Sequence, residues 1–265
     1  MKATGVVAFF DILGYKAFLR NSTCDDAAEL VVRIIAQAET DIVSYLKGTS
    51  AEEAEAQEFM CHVNNITWVV FSDTLLLLSP LDQMMSQREA ARRWYVIILS
   101  AQILSKHMFE VGLPLRGCIS YGHFIHEENC FAGKTILEAH DCANSLEMAA
   151  SVVHSSAFDE LRRTIEPFAK AQQLTAKILL IGSIVDYAVP TKTSTMTLHT
   201  LNFIIVKGIA RVPGAWLGDC TDIVMRSFTQ HNKILGDKER TKAENTASYL
   251  AFLESKFPGS LHQEP

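Results

Sequence analysis

Two isolated carboxylates interrupt apolar runs of this sequence. Asp11 lies near the end of the run VVAFFDILGY (residues 6–15), and Asp73 divides a second apolar run (residues 66–79). A carboxylate inside an apolar strand is costly unless a partner compensates its charge, and a shared divalent cation is such a partner. Both residues also suit ordinary structural roles, Asp11 as a helix cap and Asp73 as a hairpin residue. We take them as candidate ligands of Mg²⁺ or Mn²⁺.

The order of the predicted elements brings these two carboxylates together. A strand over about residues 5–11 precedes a helix over 27–46, and a hairpin over 63–79 turns at Ser72 and Asp73. In a split βαβ arrangement the end of the first strand lies beside the hairpin tip. Two adjacent carboxylates repel each other unless a cation lies between them. We therefore expect replacement of either by alanine to abolish activity, leave the fold intact and relieve repulsion.

The remaining pattern predicts one α/β (α+β) domain over residues 1–265, with a core over about 5–210. Its antiparallel sheet carries helices on one face, and a helical extension follows over about 219–257. The other predicted elements are a loop over 48–57, helices over 83–111 and 133–153, and strands over 115–124, 178–189 and 197–207.

Composition excludes several classes of function. The chain has 24 Lys plus Arg against 30 Asp plus Glu and no basic block, so a nucleic-acid partner is not expected. Six cysteines without a Cys-x-x-Cys pair, and no signal peptide, favour a reduced cytoplasmic setting. The most apolar helical stretch, residues 94–104, is shorter than the roughly 20 residues of a membrane span. We expect a soluble protein with a buried helix there.

Four segments in order resemble the motifs of class III nucleotide cyclases. They are FFDILGY (residues 9–15), FSDT (71–74), LRGCISYG (115–122) and FAGKT (131–135). The first two are similar to the metal-binding motifs of that family, the third to its phosphate-binding strand, and the fourth to the turn into its catalytic helix. The resemblance covers about residues 5–150, and four motifs in the family's order are more specific than any one of them.

The resemblance implies a two-metal active site that cyclises a nucleoside triphosphate. Asp11, Asp73 and the Ile12 carbonyl would hold two Mg²⁺ or Mn²⁺ ions, and Arg116 would contact the phosphates. The family's enzymes are dimers with sites at the interface, so a homodimer is expected. Further substrate contacts are assigned to a turn and a helix start, whose residues are Gly14, Tyr15 and Lys134.

The sequence departs from the family at the residues that stabilise the transition state and read the base. Counting from Gly133, the family's Asn and Arg fall on Leu137 and Asp141, and Asn144 nearby is interpreted as a surface residue. The Lys and Asp that read a purine fall on Val69 and Cys130. We therefore predict an apolar base pocket in which a pyrimidine leaves fewer polar groups without partners.

These departures resemble a bacterial subgroup of the family that makes cyclic UMP or cyclic CMP in antiphage defence. UTP is placed ahead of CTP as substrate, and a downstream cyclic-nucleotide effector protein is expected as partner. Two alternatives stay open, an adenylate or guanylate cyclase and a catalytically silent nucleotide-binding or dimerisation module. Against the silent module, a scaffold has no need of three repelling or unpaired charges, Asp11, Asp73 and Arg116, at one edge.

Overall fold

The computed structural model describes residues 2–49, 53–82, 84–127, 130–170, 182–206, 209 and 212–261. Within those ranges the chain forms eight strands and eight helices, which confirms the mixed α/β class. The strands are β1 (Lys2–Ile12), β2 (Thr67–Phe71), β3 (Thr74–Pro80), β4 (Leu115–Glu127), β5 (Cys130–Ala132), β6 (Ser151–Val153), β7 (Ile184–Pro190) and β8 (Thr195–Leu201). The helices are α1 (Tyr15–Asn21), α2 (Cys24–Thr49), α3 (Glu53–Val63), α4 (Gln87–Glu110), α5 (Lys134–Ser145), α6 (Ser155–Lys170), α7 (Cys220–Thr229) and α8 (Asp237–Lys256).

All eight strands belong to one sheet with β1 and β4 near its centre. The order is β2-β3-β1-β4-β6-β8-β7, and β5 pairs with the far end of β4. The described pairs are antiparallel apart from β4 with β6, which run parallel. The parallel pair needs a crossover connection, which α5 provides.

Helices cover both faces of the sheet, where the sequence predicted one covered face. Every residue of β1 from Val6 to Phe10 is apolar and buried. Because side chains alternate along a strand, Val6 and Phe10 pack into one core layer while Val7 and Phe9 pack into the other. An uninterrupted apolar run of this kind is typical of a strand buried on both faces.

The first core layer is built by α2, α3, α4 and α6. The apolar residues of α2 recur at helical spacing and are buried at Val31, Ile34, Ala38, Ile42 and Leu46. Helix α4 begins at a capping box between Ser86 and Glu89, and it is buried from Arg93 to Glu110. The apolar stretch at 94–104 is therefore a buried helix, and no helix in the described ranges is long and apolar enough to cross a membrane.

The second core layer is completed by α5, α7 and α8. Tyr249, Leu250 and Leu253 of α8 are buried in it, and the Tyr249 hydroxyl donates to the Leu201 carbonyl at 2.9 Å. The Ala149 amide donates to Thr246 Oγ1 at 2.8 Å. The helical segment after residue 219 is thus packed against the sheet.

Several predicted elements differ from the structure in their type or bounds. The helix predicted over 133–153 ends at Ser145, because Val152 and its neighbours pair with β4 and their β-branched side chains suit a strand. The loop predicted over 48–57 is helical outside the undescribed residues 50–52, since the Ala and Glu residues there are strong helix formers. The predicted strand over 178–189 begins at Ile184, and its residues 178–181 lie outside the described ranges, as does Gln83.

Candidate functional site

Asp11 and Arg116 form an ion pair at the end of the central strand pair. They are directly opposite in the β1–β4 register, and Arg116 Nε donates to Asp11 Oδ2 at 2.7 Å. Their side chains are 18% and 12% exposed, so the pair is mostly shielded from water. The expectation that these charges are unpaired at this edge is therefore wrong for Asp11 and Arg116.

Asp73 lies beside this pair in the turn between β2 and β3. Ser72 adopts a left-handed backbone conformation (φ 55°), which closes the turn, and the Ile12 amide donates to the Asp73 carbonyl at 2.8 Å. Asp11 also pairs with Thr74 in the β1–β3 register. The strand end and the hairpin tip are thus neighbours, as the element order predicts.

The Asp73 carboxylate has no hydrogen bond or ion pair in the described part of the chain. Its negative charge is nevertheless felt by Tyr15, whose phenol pKa is raised by burial, by Asp73 and by Cys24. Asp11, Asp73 and Arg116 together leave one net negative charge. The site is therefore suited to an additional cation.

Asn144 belongs to the hydrogen-bond network of the candidate site, which the sequence interpretation missed. It is half-buried near the end of α5, where Arg116 Nη2 donates to its side-chain oxygen at 2.8 Å and Arg116 Nη1 donates to its carbonyl at 3.3 Å. The Leu146 carbonyl accepts a further bond at 3.4 Å. The interpretation of Asn144 as a surface residue is therefore wrong, and most N–H groups of Arg116 are used inside the protein.

A histidine extends this network along α5. The Asn144 side-chain amide donates to His140 Nε2 at 2.8 Å, which places the imidazole proton on Nδ1, 3.0 Å from Asp141 Oδ1. The ring edge of His140 packs against Phe9 with centroids 5.2 Å apart. The spacing of four residues between His140 and Asn144, one helical turn, is the sequence signal that could have found this contact.

The positions of the family's missing Asn and Arg face outward on the same helix. Leu137 is 58% exposed, and Asp141 is also exposed. Residues 137, 141 and 144 recur at helical spacing, so this face of α5 continues directly from the Arg116 network. The Leu137 side chain is therefore largely uncovered by the described part of the chain.

The turn after β1 prepares the start of α1. Gly14 has φ 77°, and a Cβ added there would lie 3.2 Å from Lys233 Cδ, so both the conformation and the space favour glycine. Lys233 is buried and donates to the carbonyls of Gly112 and Ser227. Burial lowers the pKa of Lys233 to about 8. A buried amine therefore lies directly under this turn.

The two predicted base-reading positions are not brought together within one chain. Val69 pairs with Leu76, which is opposite Phe9. Cys130 is exposed and pairs with Glu127, beyond the level of Lys2. Seven residues of strand separate those levels, about 23 Å at the usual rise per residue. Lys134, the predicted substrate contact at the start of α5, has a side chain that is 87% exposed, and its Nζ lies 3.5 Å from Glu138 Oε1.

The donor set at the Asp11 edge suits a hard cation. Searched over the described ranges, the chain holds no cluster of three His, Cys, Asp or Glu side chains that could bind a metal. Two carboxylates and a backbone carbonyl are oxygen donors of the kind that Mg²⁺ and Mn²⁺ take when substrate phosphate and water complete the coordination. The residues therefore fit a metal that binds together with a phosphorylated substrate.

No protein-family model and no curated protein matches this chain. Among solved structures it is similar to the catalytic core of a rhodopsin-guanylyl cyclase with converted specificity in complex with ATPαS, with a TM-score of 0.43 and 11% identity, covering 76% of this chain and 97% of that one. It is also similar to a class III adenylyl cyclase-like ATP-binding protein from Pseudomonas aeruginosa, with a TM-score of 0.33 and 16% identity, covering 60% of this chain and 34% of that one.

Proposed function

We propose that this chain is a nucleotide cyclase, which converts a nucleoside triphosphate to its 3′,5′-cyclic monophosphate and pyrophosphate. The observation that carries the proposal is the junction of the β1 end with the β2–β3 turn, marked by the 2.8 Å bond from the Ile12 amide to the Asp73 carbonyl. It brings Asp11 and Asp73 to one edge with an uncompensated negative charge. The four sequence motifs support the same reading.

In this proposal the oxygen donors at this edge bind the metal ions, and the other side chains position the substrate. Asp11, Asp73 and the Ile12 carbonyl would hold two Mg²⁺ or Mn²⁺ ions, which when bound would acidify the ribose 3′-hydroxyl and neutralise charge on the triphosphate. The 3′-oxygen then bonds to the α-phosphorus, the bond to the pyrophosphate oxygen breaks, and the hydroxyl proton passes to solvent. Protein side chains position the groups, so the site needs orientation more than a strong base.

Arg116 acts first as a positioning residue for Asp11 in this proposal. Its Nε holds one carboxylate oxygen, and its remaining contacts to Asn144 and Leu146 fix the guanidinium to α5. The second oxygen of the Asp11 carboxylate has no hydrogen-bond partner in the described part of the chain. To contact a phosphate, Arg116 would have to give up some of these hydrogen bonds. We propose that it does so when the substrate binds.

The active unit in this proposal is a homodimer. Phe71 at the hairpin tip is 79% exposed and Leu137 on α5 is 58% exposed, although both are large and apolar. Phe71 lies two residues from Asp73, and Leu137 lies on the same helix as Asn144. Burial of such residues against a second copy would favour association. Light scattering tests this, and full activity of a monomer would contradict it.

For the base, we propose a pyrimidine, with UTP ahead of CTP. The support is Val69, an apolar residue where a purine reader carries Lys, on the sheet face that also holds α5. Cys130 contributes nothing to this argument, because its strand places it far from Val69. The product would serve as a second messenger in antiviral defence through a cyclic-nucleotide effector protein. That role rests on the sequence resemblance alone.

A silent nucleotide-binding module is the second candidate. It is favoured by Leu137 and Asp141 at the positions of the transition-state residues, and by the Asp11–Arg116 pair, which satisfies both charges without a ligand. The unpaired Asp73 carboxylate argues for the cyclase, since a scaffold gains nothing from an isolated carboxylate beside Tyr15. Turnover separates the two candidates.

The decisive experiment offers ATP, GTP, CTP and UTP separately to purified protein with Mn²⁺ and resolves the products by chromatography. We expect cyclic UMP and pyrophosphate in equal amounts. An Asp73→Ala protein purified in parallel controls for a contaminating cyclase. Preference for ATP or GTP would overturn the pyrimidine assignment but not the cyclase assignment. If the protein binds a nucleotide but turns over none of the four, it is the silent module.

A further inference from the structure

Arg93 is a buried cation at the opposite end of the sheet from Asp11. It lies on α4 with 6% of its surface exposed. Its Nε donates to His62 Nδ1 at 3.1 Å, and its Nη1 donates to the Pro80 carbonyl at 3.1 Å. These contacts tie α4 to α3 and to the end of β3. Nη2 has no hydrogen-bond partner within the described ranges.

None of the contacts of Arg93 neutralises its charge. In the described chain no carboxylate oxygen lies within the 4.0 Å of an ion pair. His62 accepts from Arg93 through Nδ1, and its pKa is lowered by burial and by the charges of Arg93 and Arg92. His62 is therefore a neutral acceptor. The pKa of Arg93 is lowered by burial and, to a smaller extent, raised by the Glu89 carboxylate, which lies beyond ion-pair distance. A guanidinium taken out of water without a paired carboxylate is an unfavourable arrangement unless a ligand supplies an anion.

The side chain of Arg93 lines an open cavity of about 790 Å³. Lys2, Thr4, Asn64 and Thr67 also line it, from the first residues of β1, the end of α3 and the start of β2. The walls thus supply two cations together with the Asn64 amide and the Thr67 hydroxyl. The Thr4 hydroxyl already bonds His123 Nδ1 at 2.7 Å. Thr4 is seven residues from Asp11 along β1, about 23 Å, so the cavity is separate from the candidate active site.

One carboxylate also borders the cavity and is already engaged. Asp82 is exposed, and its Oδ1 accepts from the Met84 amide at 2.8 Å. The Asn64 side-chain amide has no hydrogen-bond partner among the residues that the structure describes. The lining therefore offers free donors at Arg93 and Asn64, and one oxygen of its only carboxylate within the described ranges is held in a turn.

We propose that this cavity binds a small phosphorylated metabolite, with Arg93 contacting the phosphate. A guanidinium presents parallel N–H groups that match the oxygens of a phosphate, and the neighbouring Lys2, Asn64 and Thr67 add donors for the rest of the anion. The volume exceeds that of phosphate alone and is in the range of small-molecule sites, so the anion carries an organic group. The assignment holds whether or not the chain is a cyclase.

Isothermal titration of the full chain with ribose 5-phosphate, inorganic phosphate and citrate tests the assignment. Ribose 5-phosphate should bind saturably and more tightly than inorganic phosphate, and citrate should bind weakest. Because Arg93 also supports the fold, the main variant is the exposed Asn64→Asp, which adds a negative charge to the lining. It should weaken ribose 5-phosphate binding about tenfold or more. Arg93→Lys keeps the charge but loses the fork, so it should also weaken binding.

Arg92→Gln is the matched control, because Arg92 is adjacent on α4, pairs with Glu58 and does not line the cavity. Its affinity for ribose 5-phosphate should stay within about twofold of the unmodified protein. The proposal is overturned if neither phosphate ligand binds the unmodified chain, or if Asn64→Asp and Arg93→Lys bind ribose 5-phosphate as it does. Tighter binding of citrate than of ribose 5-phosphate would overturn the phosphate assignment.

Discussion

Arg116 lies at one end of the sheet, and Arg93 of α4 lies against the opposite end. The two guanidinium groups differ in what compensates their charge. Both are largely shielded from water, and both donate to backbone carbonyls. Arg116 has the Asp11 carboxylate at 2.7 Å, whereas Arg93 has only neutral acceptors in the described chain. The Asp11 end is thus balanced by groups of the chain except for Asp73, whereas at the Arg93 end we propose that an anion from outside completes the site.

The largest expected effect is on turnover, and it isolates the charge that Arg116 leaves uncompensated. Asp73→Ala should lower the proposed cyclase activity by about a thousandfold or more, because in the proposed mechanism it removes a ligand of a metal that contributes several kcal/mol to the transition state. Stability should change by no more than about 0.5 kcal/mol, since the Asp73 side chain has no described bond. Turnover with saturating Mn²⁺ and urea unfolding measure the two effects.

Asp82→Ala is the control for this experiment, because Asp82 is also a turn carboxylate but is exposed and lies at the other end of β3. Its activity should equal that of the unmodified protein. An Asp73→Ala protein that keeps near-normal turnover would remove Asp73 from the active site, whatever the reaction is.

The second prediction makes Arg116 resemble Arg93 by removing its counter-ion. Asp11→Ala should lower the free energy of unfolding by about 1–3 kcal/mol, because the mostly shielded Arg116 guanidinium then loses its carboxylate. This replaces the expectation from sequence that loss of either carboxylate only relieves repulsion. The double variant Asp11→Ala with Arg116→Met should recover much of that loss.

Urea unfolding of the four proteins of this cycle measures the coupling between Asp11 and Arg116. Additive losses in the double variant would show that the ion pair contributes nothing to stability. In that case the contrast between the two ends of the sheet would rest on geometry alone.

The smallest expected effect concerns Lys233, a third buried cation, which is held by carbonyls beneath Gly14. Its pKa is lowered by burial to about 8, against about 10.4 for an unfolded lysine. Between those values the unfolded chain binds more protons, so stability should rise as pH increases from 8 to about 10.5. At pH 7, Lys233→Met should change stability by no more than about 1 kcal/mol.

Urea unfolding at pH 7.5 and pH 10 measures this rise. Lys106 is the matched comparison, because it is also buried with a pKa lowered to about 8 and donates to the Val206 carbonyl at 2.8 Å. Lys233→Met should remove part of the rise with pH and leave the part due to Lys106. An unchanged rise would show that Lys233 is not a source of the pH dependence.

The meeting of Asp11 with Asp73 could be predicted because it depends on local patterns. Apolar runs locate the strands, Ser72 and Asp73 locate the hairpin turn, and strand order then fixes the neighbours. The Asn144–Arg116 contact could not be predicted in the same way. It depends on where α5 ends relative to β4, and the sequence pattern placed that end eight residues too late.

The position of Cys130 shows a second limit of sequence reasoning. The strand predicted to end at residue 124 continues to Glu127 and pairs there with β5. Those added residues carry Cys130 away from Val69, although motif spacing suggested that both read one base. The number of residues between two motifs does not fix the distance between them in space. Here the distance from Val69 to Cys130 depends on the length of β4, which its pairing with β5 extends to Glu127.

The packing of α8 against the sheet has a consequence for synthesis on the ribosome. Translation delivers β1 first, but Val7 and Phe9 share a core layer with Tyr249, Leu250 and Leu253. A nascent chain of about 210 residues therefore presents an unfinished apolar surface, while the layer built by α2 and α4 can already close. The growing polypeptide must remain protected from aggregation until α8 emerges from the exit tunnel.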